Sequence, residues 1–441
     1  MLTIAGVTTE MFNAHERSIE AKIELYFNGI GNAPTIVSKD DYLVHFDLLE
    51  ETSMSADGLF GNLSANTLSF KLLNINGMFS PANNAGVYYG KIKTAVCAKC
   101  YVRLVGCLNW VPMGVYYVYS WKARVCDIVA NVMCYDNLYY VLNAPIKDLD
   151  IKENITQGAF LSYLLAGYNY TNLSISSNLS GNILYGIQLR DGIKVTLNEL
   201  ITSARAVLIS DRFGNLKAFR ITNGTPVTVM TDFDQVITLM TEQSIIKTYD
   251  GVALNYYIPQ VLDDDVIITT DAFMVPVGNL THDTIEYPKI VYSISGVCII
   301  GDTKCTLASY ITSNFGISVT TNNSGTTGDK VTLTVTGRVL EMLEQHLTDN
   351  TSNMALVDSH YIQTPSDAGN FKAYLETYVS SEVPILKATI RGNPLVEIGD
   401  ILTIHSDKYN TDFTGSLQYA YYHYDGSLSC DVTLLNKDVI S

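Results

Sequence analysis

The sequence predicts a mainly β chain carrying α/β inserts, and three observations lead there. Apolar and polar residues alternate with strand period near both ends of the chain. Charged residues make up only 16% and hydrophobic ones 47%, with 29 Tyr and 30 Gly, a balance that favours pleated, well-buried strands. Helical spacing is confined to short stretches between the strand-rich regions. At 441 residues the chain is long enough for two to four domains, because single cores stop growing well before that length.

Residues 1–150 are strand-rich. Ile23, Leu25 and Phe27 alternate with Lys22, Glu24 and Tyr26, and Asn28-Gly29 ends that strand. Val44, Phe46 and Leu48 alternate with His45 and Asp47, and Leu68, Phe70 and Leu72 with Ser69 and Lys71. Between them, Glu50 to Asp57 reads as a polar loop. Strands are also expected over 96–105, 115–121 and 125–132. Six or more short strands separated by turn signals predict a barrel or sandwich.

Residues 151–232 change character. A helix is expected over 156–166, and Thr196-Leu-Asn-Glu199 reads as a capping box opening a second helix that runs to about Leu208. Asp211-Arg-Phe-Gly-Asn215 then turns into the strand 216–221. Residues 233–310 return to strands, among them Tyr249-Asp-Gly-Val-Ala-Leu-Asn-Tyr-Tyr-Ile-Pro259. Asp263-Asp264-Asp265 lacks the ligand spacing of a calcium loop and reads as an exposed acidic turn. Within 311–377, Val331, Leu333 and Val335 predict a strand. Val339, Leu343 and Leu347 predict a helix over 337–347, and a further helix is expected over 366–379.

The last fifty or so residues carry the most specific pattern. Asn393-Pro394 and Gly399-Asp400 bracket a turn that launches the strand 401–405, and Asp425-Gly426 signals a two-residue hairpin turn. Folding about that turn sets Leu417, Tyr419, Tyr421 and His423 opposite Leu434, Val432, Cys430 and Leu428 on one apolar face. Gln418, Ala420, Tyr422 and Tyr424 then share the other face with Ser427, Ser429, Asp431 and Thr433. The candidate structural site is this closing unit: Asp400, Tyr419, Tyr421, Asp425, Gly426, Leu428, Val432 and Leu434.

The formal net charge is −16, which argues against a conventional DNA-binding protein, since neutralising phosphates takes clustered Lys and Arg. It is compatible with a surface that DNA slides past. No run of eighteen apolar residues and no signal peptide is visible, so neither a membrane span nor secretion is expected. Eight cysteines in so long a chain do not read as a disulfide framework, and Cys97-Ala-Lys-Cys100 has no second pair to complete a zinc site, so they are expected as small buried thiols. Gly-x-Ser-x-Gly, phosphate-binding loops and paired-histidine metal motifs are absent. His45 and His405 are expected as hydrogen-bonded structural groups and His346 at a helix end. No catalytic residue, cofactor or metal is assigned, and no enzyme activity is expected.

The closing phrase, Gly392-Asn-Pro-Leu-Val-Glu-Ile-Gly-Asp400 followed by a hairpin with Tyr424-Asp-Gly-Ser-Leu-Ser429, resembles the C-terminal barrel of phage tail hub proteins. These are the baseplate-hub and tail-tip proteins that cap the tail tube. Three N-terminal pieces resemble their first barrel: the opening strand with its Asn-Gly, the stretch 61–76, and Asn109-Trp-Val-Pro-Met-Gly-Val-Tyr-Tyr-Val118. The resemblance implies two tail-tube-like β-barrels plus two smaller α+β domains. It sets the first barrel at 1–150, an α/β insert at 151–232, the second barrel at 233–310 and 378–441, and a second insert at 311–377. It implies a virion protein made in the host cytoplasm, a homotrimer whose six barrels meet a hexameric tube and whose far end holds a spike, fibre or plug. Implied partners are the tail tube or distal tail protein ring, the tape measure protein, a central spike or fibre protein, and genomic DNA passing without specific binding. The chain ends about six residues past its closing hairpin, which suggests a hub with no lytic region of its own. The alternative is a carbohydrate- or receptor-binding β-protein of a phage tail, or a glycan-active one, with Tyr116, Tyr119, Tyr421 and Tyr422 stacking on sugars.

Overall fold

The computed structural model describes residues 1–436 apart from 15, 53–62, 178, 180, 222–224, 232–235, 241–248, 263–265, 302–303, 350, 380–384 and 407–410. The acidic run Asp263-Asp264-Asp265 and the start of the Gly61 phrase lie outside the described residues.

One 13-stranded sheet organises the molecule. Its N-terminal half is built from β1 (Ile19–Tyr26), β2 (Thr35–Ser38), β3 (Leu43–Glu51), β4 (Thr67–Leu73), β5 (Cys97–Leu104), β6 (Val111–Lys122) and β7 (Val129–Tyr135). They lie in the order β2-β1-β5-β6-β7-β4-β3. The period-2 pattern sets the faces: Ile19, Ala21, Ile23 and Leu25 of β1 are buried, and so are Leu68, Phe70 and Leu72 of β4. Each fully buried Leu or Ile contributes roughly 1.5–3 kcal/mol. The parity of β3 slips once: a bulge between Leu43 and His45 leaves Val44 outside, while Phe46 and Leu48 stay inside.

From β3 the sheet runs directly into the C-terminal half. The hairpin strand Thr411–Tyr424 pairs with β3, setting Tyr424 opposite Phe46 and Tyr422 opposite Leu48. The rings of Phe46 and Tyr424 stack 5.3 Å apart. Leu428–Asn436, Ile385–Arg391 and Val236–Met240 follow in order, while Ile401–Ser406 pairs with Thr411–Tyr424 and carries Thr228–Thr231 in parallel. A single hydrophobic core fills both halves.

The Trp110-x-x-x-Gly114 phrase has a local cause. Gly114 sits in β6 at φ +136 with the Tyr116 ring folded over it, and a Cβ there would lie 2.4 Å from that ring. The Tyr116 hydroxyl donates to Met113 O at 3.1 Å. Only glycine permits this fold-back.

The insert has a core of its own, with Phe160, Leu161, Leu164, Leu197 and Leu200 fully or almost fully buried. The expected helix is Gln157–Gly167, capped by the Thr156 hydroxyl, which accepts from Ala159 N. The capping-box reading is corrected. The second helix is Ile193–Ser203 and starts after Gly192 at φ +100. Thr196 lies inside its first turn, donating to Gly192 O and accepting from Leu189 N, while Glu199 is taken by His360. The helix stops at Ser203, and Val207–Ser210 is a strand.

The largest departures from expectation lie between 251 and 359. The helix expected over 337–347 is part of a twenty-residue strand, Asp329–Thr348. That strand pairs with Gly251–Val261, Val266–Val275 and Ile290–Ile300. The strands of residues 251–300, expected beside the closing hairpin, therefore pair with strands of 316–359 instead. Gly337 stands where these strands cross, and a Cβ there would be 2.1 Å from Ser293 O. His346, expected at a helix end, sits on a strand with its Nδ1 2.9 Å from Asn255 Oδ1. The helix Pro365–Val379 forms as expected and buries Ala368, Phe371 and Leu375 against Val252 and Leu254.

Candidate functional site: the closing hairpin and the face it presents

The closing hairpin forms, but not in the expected register. Tyr424 pairs with Leu428, so the turn has three residues, Asp425, Gly426 and Ser427, with Gly426 at φ +117. The Asp425 carboxylate accepts from Ser427 N and Oγ, and these bonds hold it below the usual carboxylate range. The extra turn residue exchanges the faces of the strand. Ala420, Tyr422 and Tyr424 point into the core with Leu428, Cys430, Val432 and Leu434, while Tyr419, Tyr421 and His423 point outward. A bulge between Leu417 and Tyr419 restores the first parity, so Leu417 is buried again opposite Leu434. Of the predicted residues, Leu428, Val432 and Leu434 lie in the core as expected, and Tyr419 and Tyr421 are corrected to the outer face.

The Gly392–Asp400 phrase is a socket. Asn393 Oδ1 accepts from Leu395 N, and Asp400 Oδ2 accepts from Glu397 N at 2.8 Å, while Gly399 at φ +88 passes beneath the Phe219 ring. Its carbonyls hold Arg212, which comes from the Asp211-Arg-Phe-Gly-Asn215 turn of the insert. Arg212 is 3% exposed. It donates to Glu50 Oε1 and Oε2 at 2.9 and 2.8 Å, to Val396 O at 2.7 Å, to the Tyr422 hydroxyl at 3.2 Å and to Pro394 O. Burial alone would lower its pKa. The Glu50 carboxylate outweighs that, so the guanidinium is held well above its ordinary pKa. Three pieces of chain meet at this node: β3, the insert and the closing phrase. Both Arg212 and Glu50 escape a reading by motif. The available signal was parity, because Phe46, Leu48 and Glu50 share a face, and an acid on a buried face needs a cation.

On its other side the sheet presents a polar face across the joint. His423 Nδ1 lies 2.5 Å from Asp47 Oδ1, His45 Nε2 lies 3.8 Å from Asp47 Oδ2, and Tyr421 also bonds Asp47. Thr389 donates to Asp431 at 2.6 Å and Ser64 to Glu51 at 2.5 Å. Each of these three acids is thus occupied by a neighbour. His405 lies 2.6 Å from Asp412.

The aromatic reading of the surface changes with the geometry. Tyr116 and Tyr422 are each 1% exposed and cannot stack on a sugar. Tyr119 is exposed and packs edge-on to Tyr135 and Tyr139. Among the described residues no group of three or more His, Cys, Asp and Glu is placed to hold a metal ion. The cysteines are free thiols, and burial pushes Cys97 up to about 11.

Comparisons add the fold-level context. No family model and no curated protein matches the chain. Among solved structures, it is similar to the 43 kDa tail protein of prophage MuSo2 from Shewanella oneidensis. The identity is 11% over 97% of this chain and 100% of that one, with a TM-score of 0.53. It is also similar to the tail protein from Neisseria meningitidis MC58, at 8% identity over 96% of this chain and 98% of that one, with a TM-score of 0.52. End to end, the chain carries the fold of these phage tail proteins.

Proposed function

We propose that this chain is a structural, non-enzymatic hub of a phage tail, present in three copies at the distal end of the tail tube in the virion. The observation that carries the reading is the joint between β3 and Thr411–Tyr424, which fuses two sheet halves into one wall with a core behind it and a polar face in front. In this reading the N-terminal half is the first tube-like barrel. The strands 236–240 and 385–436 belong to the second, and the insert and the 251–379 region stand outside the ring. Among the described residues β2 pairs only with β1, Val236–Met240 only with Ile385–Arg391 and Thr228–Thr231 only with Ile401–Ser406, so the branched sheet ends in three lateral edges. Unprotected edges invite pairing, and an edge-to-edge contact repeated by rotation closes a ring. Three copies bring six sheet halves, which adapts a hexameric tube to a three-fold spike, fibre or plug.

DNA would pass along the polar face without being held, because Asp47, Glu51 and Asp431 keep their negative charge while hydrogen-bonded to neighbours, and a negative wall repels phosphate. The partners in this reading are the tube or distal tail ring, the tape measure protein and the central spike or fibre. The glycan-binding reading loses two of its four tyrosines to the core and is not favoured.

Light scattering combined with electron-microscope class averages tests the proposal. The expected result is a mass of three chains and a three-fold ring around an open channel. A stable monomer at high concentration, with no channel in any class, would overturn it.

A further inference from the structure

The charge of this chain is unevenly placed. Residues 63–135 carry seven basic side chains and one acidic, Asp127, a balance of +6; since the total is −16, the rest of the chain stands at −22. The fold gathers part of this excess at one end of the N-terminal half. There the connection after β1, the long loop between β4 and β5, and the turn between β6 and β7 are bound into one cap. Tyr88 stacks on Phe27 at 4.9 Å and on Phe79 at 5.2 Å, and Trp121 Nε1 donates to Phe79 O at 2.8 Å. Asn74 Nδ2 donates to Arg124 O and Asp127 O, and Ser80 Oγ to Arg124 O. The loops therefore form a packed platform.

Lys91, Lys93, Lys122 and Arg124 are all exposed on that platform and form no ion pair among the described residues. Asp127, the one acid, is spent on Arg124 N at 2.7 Å. Between the cations stand exposed apolar side chains: Ile128 is 78% exposed, Val87 69%, Ile75 55% and Tyr89 54%. A cleft of about 830 Å³ opens between the turn at Asn28–Ile30 and the stretch 90–97, with Lys91 and Lys93 on its wall and no carboxylate in its lining. Of the acids at the margin of the cap, Asp41 accepts from Ser38 Oγ and Asp425 from Ser427, while Asp40 is exposed.

We infer that this cap is the docking face for another protein, one whose contacting surface is acidic and carries apolar side chains. Charge complementarity selects an acidic partner, since like charges across an interface are penalised and opposite ones steer encounter. The exposed Ile, Val and Tyr select a protein over a nucleic acid, whose backbone is met by closely spaced Lys and Arg without aliphatic neighbours. A second copy of this chain is disfavoured by position. The cap lies at the ends of the strands, whereas the lateral edges through which copies would join run along β2, 228–231 and 236–240. The choice of a neighbouring tail protein, stacked on this end, rests on the hub reading; the charge and chemistry of the partner do not.

The test uses the full-length protein and a glutamate–tyrosine copolymer as probe, with polyglutamate and a mixed-sequence DNA duplex as comparators, read by fluorescence anisotropy at several salt concentrations. The expected result is that the copolymer binds better than either comparator and weakens with salt. Lys91→Glu with Lys93→Glu should reduce that binding at least tenfold, and so should Lys122→Glu with Arg124→Glu at the turn between β6 and β7. Val87→Ser with Tyr89→Ser should lower copolymer binding to the level of polyglutamate. All these positions are exposed, so an unchanged melting temperature certifies each fold. Undiminished binding by both charge-reversed variants overturns the inference, as does tighter binding of the duplex than of the copolymer. A fall in assembly mass on charge reversal overturns it in favour of a second copy. A preparation lacking a three-fold ring but keeping lysine-dependent copolymer binding retires the hub while leaving the docking face in place.

Discussion

Two junctions hold the wall of this molecule together, and they use charge in opposite ways. At the inner junction Arg212 and Glu50 meet with 3% and 5% of their side chains exposed. At the outer one His423 and Asp47 meet with 45% and 21% exposed, in water. Breaking a buried pair strands a charge away from solvent, and breaking an exposed one returns both partners to water. The inner pair therefore fixes how the insert, β3 and the closing phrase are arranged. The outer pair decorates a joint already made by backbone bonds and by the Phe46–Tyr424 stack.

The largest effect is expected where the core behind both junctions is breached. Leu434 is fully buried and pairs with Leu417 and Leu386. An aspartate there places an unpaired charge in the shared core, at a cost that consumes much of a total stability of about 5–15 kcal/mol. Leu434→Asp should abolish soluble assembly, while Tyr421→Asp on the outer face of the neighbouring strand should assemble normally. Gel filtration of the pair decides it; equal tolerance of both would mean the faces are misassigned.

Next comes the inner junction. Arg212→Ala leaves Glu50 buried without its cation and should cost about 3–5 kcal/mol. Arg212→Met with Glu50→Leu, which removes both charges, should cost less than either single truncation. Urea unfolding of Arg212→Ala, Glu50→Ala and the double variant reads this directly, and additive losses would mean the two residues act separately. Gly114→Ala should cost about 1–3 kcal/mol, because alanine is strained at φ +136 and its Cβ meets the Tyr116 ring. Pairing it with Tyr116→Ala removes the clash but not the strain, so part of the loss should persist in the double variant.

These positions also mark where sequence reading works and where it stops. Strands such as β1 and β4 were legible, because an unbroken two-residue period admits one assignment of faces. The closing hairpin was legible as a hairpin, but its faces were not: a three-residue turn and a bulge at Leu417/Tyr419 each move parity by one and leave no trace in composition. The strand Asp329–Thr348 was misread for a different reason. Val339, Leu343 and Leu347 are four apart, and a step of four satisfies the helical period and the strand period alike. The Arg212 socket was half legible. The Gly392–Asp400 phrase stood out, yet its occupant lies about 180 residues away in sequence and only the fold brings it there.

The smallest effect expected is at the outer junction, and pH separates it from the inner one. Burial, reinforced by Lys71, holds the His45 imidazole below its ordinary pKa. The unfolded chain then binds this proton more readily than the folded one, so the contribution of this group to stability falls as pH drops below about 6.5 and is recovered above it. His45→Asn should flatten that part of the stability profile. His423→Asn should lower stability by less than about 1 kcal/mol at neutral pH, because the pair it breaks is half in water. The Arg212 guanidinium, held well above its ordinary pKa, stays charged throughout this window, so Arg212→Met with Glu50→Leu should shift the whole profile without changing its slope between pH 5 and 7. A slope that changed on Arg212→Met with Glu50→Leu, but not on His45→Asn, would place the proton-sensitive group at the inner junction and reverse the contrast between the two.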